Sequence, residues 1–82
     1  MVREVARLLL LGPAREAAGV RNDVVEGSTL DAVLSEAVTR YGAKFQEILD
    51  VSQVWLNGEP ADRDAPVESY DEIAVLPPIS GG

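Results

Sequence analysis

Apolar and polar positions along this chain fall into short stretches of two different periods. Val2 to Leu11 reads as a strand that becomes apolar on both faces, with Leu8 and Leu10 pointing one way and Leu9 and Leu11 the other. Gly12-Pro13 ends it, because proline has no N–H to continue a ladder. Ala14 to Ala18 has the composition of one short helical turn before Gly19. Val20 to Glu26 reads as a second strand, with Val24 and Val25 at its end. Strand, connection, strand is the order of a hairpin, here with a longer loop.

The period then changes. Leu30, Val33, Leu34, Ala37, Val38 and Tyr41 recur at intervals of 3, 4, 7, 8 and 11, which is one face of a helix. Asp31, Ser35, Glu36, Thr39 and Arg40 occupy the other face. Ser28 as N-cap with Asp31 three residues later predicts a capping box, and Gly42 supplies the stop. Lys44 to Leu49 predicts a further short turn, with Phe45, Ile48 and Leu49 capping the core. Ser52 to Leu56 reads as a third strand. Asn57-Gly58 is a strong hairpin turn, because both residues tolerate positive φ, and Glu59 to Ala61 returns as a short strand. Residues 62–66 have loop composition. Asp71-Glu72 leads into a last strand, in which Ile73 and Val75 share one face and Ala74 and Leu76 the other.

Strand, strand, helix, strand, short strand, strand is an α+β order. One main helix laid across a mixed sheet is the economical way to bury one amphipathic stripe. By analogy this is the β-grasp of ubiquitin-like proteins, with residues 1–76 as the domain and residues 77–82 as a flexible C-terminal arm. Eighty-two residues make one small domain. A chain of this size buries only about 60% of its unfolded surface, so its core must be efficiently built.

Composition removes most chemistry. Cysteine and histidine are both absent. With them go the disulfide framework, the thiolate nucleophile, the Cys/His zinc site and the usual general base. Neither a Walker-type nor a dinucleotide-binding glycine loop is present. Paired carboxylates remain as a formal option, but the chain is not expected to be catalytic alone, nor to bind a cofactor. A net charge of −7 disfavours nucleic acid and anionic membrane surfaces, and suits solubility or steering toward a basic protein. No apolar run approaches the roughly 18 residues of a membrane span, and no targeting segment is recognisable, so the expected location is cytoplasmic.

What remains is the end of the chain. Pro77-Pro78 cannot extend a sheet and favours an extended, polyproline-type path away from the body. From Pro77 to Gly82 the chain can reach about 20 Å. Gly81-Gly82 has no Cβ and can enter a channel that other residues would block. The reactive group is the Gly82 α-carboxylate, a poor electrophile until adenylation by ATP gives it a leaving group. The acyl-adenylate can then accept sulfur or join an amine. Because the chain carries no phosphate cradle, a partner must perform the activation. Leu9, Leu11, Ala74 and Leu76 would form an apolar patch beside the arm, on the sheet face away from the helix.

Three places carry a family likeness: Leu8 to Leu11 followed by Ala14-Arg15-Glu16 and Gly19; Leu56-Asn57-Gly58; and Asp71 through Pro77-Pro78-Ile79-Ser80-Gly81-Gly82. On these the chain resembles the small subunit of molybdopterin synthase, within the ubiquitin-like sulfur-carrier superfamily. The last motif is the specific one, with Ile79 a conservative departure from valine. The resemblance implies that a ubiquitin-activator-like enzyme, using ATP and Mg, adenylates Gly82, which then becomes a thiocarboxylate. It implies that Leu76, Pro77, Pro78, Ile79, Ser80 and Gly81 engage the large synthase subunit. The thiocarboxylate sulfur then passes to cyclic pyranopterin monophosphate, and two deliveries build the molybdopterin dithiolene. The pterin-binding cations would belong to the large subunit, since this chain has a single lysine, Lys44. Other readings stay open: a carrier for the thiamine thiazole or for cysteine synthesis, a modifier joined to protein lysines, or a ubiquitin-like binding module with a non-reactive tail.

Overall fold

In a computed structural model that describes residues 4–78, β1 (Val5–Leu10) sits inside a mixed five-stranded sheet. Its Ala6, Leu8 and Leu10 are wholly buried, while Val5, Arg7 and Leu9 turn to the opposite side, as the strand alternation requires. The spatial order is β2-β1-β5-β3-β4. β2 (Asn22–Glu26) pairs antiparallel with β1, β5 (Glu72–Leu76) lies parallel to β1, and β3 (Gln53–Leu56) is antiparallel to β5. β4 (Glu59–Pro60) closes the far edge as a two-residue strand. The hairpin expected between the first two strands is present, with α1 (Gly12–Ala18) in its loop.

Among the described residues three helices, not one helix and two turns, pack on the inner sheet face. α1 begins earlier than the pattern predicts, because Pro13 opens the helix as well as ending the strand. A proline in the first turn gives up an N–H that has no helical partner anyway. The longest helix, α2 (Leu30–Tyr41), buries Leu30, Val33, Leu34 and Ala37 of the predicted stripe, while Val38 and Tyr41 at its end are partly buried against the core. α3 (Ala43–Asp50) is a full eight-residue helix that buries Phe45 and Leu49. Gly42, at φ +98°, separates α2 from α3 in a conformation that a side chain would resist. The arrangement is the ubiquitin-like β-grasp, with the helices held against one face of the sheet.

The predicted capping box does not form. Thr29, not Ser28, is the N-cap of α2, and its hydroxyl accepts from the Ala32 N–H at 3.1 Å. The reason is tertiary. Ser28 C=O accepts from the Val67 N–H at 3.0 Å, and Thr29, in an extended conformation, bridges to Pro66. The next two N–H groups, of Leu30 and Asp31, donate to Ala65 and Arg63 carbonyls at 2.9 and 2.7 Å. Asp31 therefore lies one position earlier in the helix than predicted, and its carboxylate pairs with Arg63 at 2.8 Å. The 63–67 loop, read from sequence only as a connection, supplies this cap.

Candidate functional site

β5 ends at the residue from which the C-terminal segment departs, so its two faces decide what surrounds that segment. Ile73 and Val75 are fully buried, and Ala74 and Leu76 face outward, partly buried, as predicted. The register aligns Leu9 with Ala74, Ala74 with Trp55, and Trp55 with Pro60. This makes an apolar row across four strands on the face opposite the helices. Leu76 lies opposite Gln53 in the neighbouring row. Val51, Gln53, Leu76, Pro77 and Pro78 line a shallow cleft where the arm leaves the domain, and Val51 is 64% exposed there.

Of the predicted site residues, the structure brings Leu76, Pro77 and Pro78 to this cleft. Ile79, Ser80, Gly81 and Gly82 lie outside the described residues. Leu9 and Ala74 share the predicted face. Leu11 does not continue it: the strand stops at Leu10, and Leu11 becomes the N-cap residue of α1, 41% exposed. Pattern reading missed Trp55, Pro60, Gln53 and Val51. For Trp55 the signal was available, since Val54 and Leu56 alternate inward and leave the single tryptophan of the chain on the outer face. Its indole N–H donates to the Gln53 side-chain oxygen at 3.1 Å, which orients the ring along the strand.

The turn at Asn57-Gly58 does more than reverse the chain. Both residues are left-handed, at φ +51° and +85°, as a tight hairpin demands. Asn57 N–H also donates to Glu72 C=O at 2.8 Å, and its side-chain oxygen accepts from the Glu72 N–H at 2.9 Å. The turn thereby latches the start of β5. Just before it, Tyr70 takes a left-handed φ of +66°. That turn is tied down by Arg7 Nε–H donating to Tyr70 C=O and by Asp71 accepting from the Glu68 N–H, at 2.9 and 2.8 Å. The Glu68 N–H, helped by Asn57, holds the Asp71 carboxyl below its ordinary range. These are positioning contacts that set the strand before the arm. Among the described residues no group of His, Cys, Asp or Glu is placed to hold a metal ion, and no helix is long and apolar enough to cross a membrane. The site is an apolar outer sheet face beside the cleft where Pro77 and Pro78 follow β5.

The ThiS family model matches residues 8–82. The molybdopterin synthase sulfur carrier subunit of Arabidopsis thaliana is 35% identical over 79 residues, covering 93% of this chain and 81% of that protein. The crystal structure of small archaeal modifier protein 1 from Haloferax volcanii superposes with a TM-score of 0.85 at 27% identity, over 95% of this chain and 99% of that one. A chain from the complex of subunits 1 and 2 of molybdopterin-converting factor from Helicobacter pylori matches in fold, with a TM-score of 0.71 at 23% identity over 95% of this chain and 99% of that one.

Proposed function

The chain belongs to the ThiS family, and from that premise we propose that it is a sulfur carrier working through a Gly82 thiocarboxylate, with cyclic pyranopterin monophosphate as the acceptor. The observation that carries this reading is the family match running through residue 82, over a segment that leaves β5 beside an apolar face. The Gly82 carboxylate attacks the α-phosphate of ATP in an adenylating partner, and pyrophosphate leaves. Hydrosulfide then displaces AMP from the acyl carbon, leaving the thiocarboxylate. In the large synthase subunit its sulfur forms a C–S bond to the pterin precursor as a carbon-bound oxygen leaves, and water then hydrolyses the resulting thioester, freeing the thiol on the pterin and regenerating the Gly82 carboxylate. This chain contributes the handle and the grip; cations, nucleotide and Mg belong to its partners. The likeness to the Arabidopsis carrier subunit and to the Helicobacter two-subunit complex supports a large-subunit partner.

The test is intact mass after incubation with ATP, a sulfur source and a lysate competent for sulfur transfer. The expected result is the mass rise of one oxygen replaced by sulfur, localised to Gly82. No rise would sink the carrier reading. The likeness to the archaeal modifier favours a second reading, in which the same adenylate joins protein lysines. That reading expects high-mass conjugates in place of the sulfur-bearing monomer. Identifying the synthase subunit that co-purifies with the chain separates molybdopterin work from thiazole or cysteine synthesis.

A further inference from the structure

β2 is an edge strand, and side chains take the outward backbone groups at its middle residue, Val24. Leu10 N–H donates to Arg21 C=O at 2.9 Å, and Gly27 N–H donates to Glu4 C=O at 3.2 Å. With Leu8 opposite Asp23 and Ala6 opposite Val25, the alternation turns the N–H and C=O groups of Asn22, Val24 and Glu26 away from β1. At the middle of that edge both groups of Val24 are taken. Its N–H donates to Asp23 Oδ1 at 2.8 Å, and its C=O accepts from Arg40 Nη1 at 3.1 Å. The same Arg40 nitrogen donates to Asp23 Oδ2 at 2.9 Å, and the Tyr41 hydroxyl donates to that oxygen at 2.5 Å. Arg40 Nη2 lies 3.8 Å from Glu36. Arg40 Nη1 thus makes the bond to the Val24 carbonyl that an N–H of an added strand would make.

The two edges of the sheet are protected differently. β4 is two residues long and ends in Pro60, which blunts it. β2 is five residues long, contains no proline, and exposes 52% of Val24. We propose that the Asp23–Arg40 clamp holds shut a strand-accepting edge whose occupant, once the clamp opens, is β2 of a second copy of this chain. The strand is self-complementary about Val24. Antiparallel pairing on a two-fold axis there sets Val24 against Val24, Asn22 against Glu26 and Asp23 against Val25, so no two acids face each other directly. The net charge of −7 on each copy opposes association, and added salt screens that opposition. With the clamp closed the chain stays single, and its outer face and arm are presented once per molecule.

Sedimentation velocity of the full chain and of the Asp23→Ala/Arg40→Ala double variant, at moderate and high salt, tests this. Wild type sediments as a monomer, and the double variant raises the dimer association constant by about tenfold or more. Adding Val24→Pro returns the variant to monomer, because proline removes the outward N–H and leaves the β1 ladder intact. Arg40→Ala alone empties no core position and is run in parallel as the milder opening of the clamp. A folded double variant that stays monomeric, or a folded Arg40→Ala protein with no gain over wild type should the double variant unfold, overturns the proposal. So does a dimer that survives Val24→Pro, or a wild-type dimer.

Discussion

Phe45→Ala is the sharpest test of how this small core is closed. Phe45 heads the wholly buried side chains by volume and sits on α3, a helix whose pattern predicts only a short turn. Its ring meets Tyr41 edge-on, with centroids 5.2 Å apart and planes at 71°. Truncating a buried Phe to Ala costs about 3–5 kcal/mol from lost transfer energy and the cavity left behind. The aromatic contact supplies about 0.5–1.5 kcal/mol of that. At about 0.05–0.15 kcal/mol per residue, a domain of this length holds roughly 4–12 kcal/mol in all, so the variant is left marginal. Its melting temperature should fall by roughly 12–40 °C, at about 4–8 °C per kcal/mol. Urea unfolding followed by far-UV circular dichroism, with Trp55 fluorescence as a second probe on the opposite sheet face, measures the loss. Phe45→Leu should recover most of it. A loss below about 1 kcal/mol would mean that α3 only covers the core and does not complete it.

Deleting Gly82, or extending the chain with a C-terminal tag, should abolish sulfur loading by intact mass and leave the melting temperature nearly unchanged; a tagged protein that still restores molybdoenzyme activity refutes the handle role. Leu76→Asp should weaken large-subunit binding in a titration more than it lowers unfolding free energy, whereas equal losses would place Leu76 in the core. The Tyr41 hydroxyl, with Arg40 and the Val24 N–H, holds the Asp23 carboxyl below its ordinary range despite partial burial. A lowered folded-state value gives stability that is present above the unfolded carboxylate pKa near 3.9 and lost as pH falls through the folded value. Stability of the wild type should therefore drop in acid below about pH 4, and Asp23→Asn should flatten that drop in a denaturation series. Burial and the Asp23 carboxylate push the Tyr41 phenol upward, so its contribution is present below the unfolded phenol pKa of about 10 and lost in stronger alkali. Tyr41→Phe should remove the alkaline loss.

Sequence pattern performed best where a single period runs long enough to average over exceptions. The α2 stripe from Leu30 to Ala37 and the alternation of Ile73 to Leu76 are buried as read. It erred where one residue type serves two local structures. Pro13 both stops a strand and starts a helix, so α1 was cut short. Ser28 and Thr29 are both competent N-caps, and only the backbone of residues 63–67 chooses between them. Trp55 and Pro60 join the apolar row through strand register, which cross-strand pairing sets and a linear pattern does not contain. Asn57 reads from sequence as a turn residue, and its hold on Glu72 follows from β3 lying beside β5, two strands distant in sequence.

By itself the sequence determined which side-chain chemistries are missing, the kinds of element and the terminal motif. Absent histidine and cysteine remove the thiolate nucleophile, the Cys/His zinc site and the usual general base whatever the fold, side-chain period is a local property, and Pro77-Pro78-Ile79-Ser80-Gly81-Gly82 is legible without coordinates. Only the tertiary structure decided how the apolar residues divide between the core and the outer sheet face, which cap α2 uses, and that Asp23 and Arg40 take the outward backbone groups of Val24. Each of these depends on which strands are neighbours. Sheet order is settled by the whole set of buried faces at once, and no window of the chain contains it.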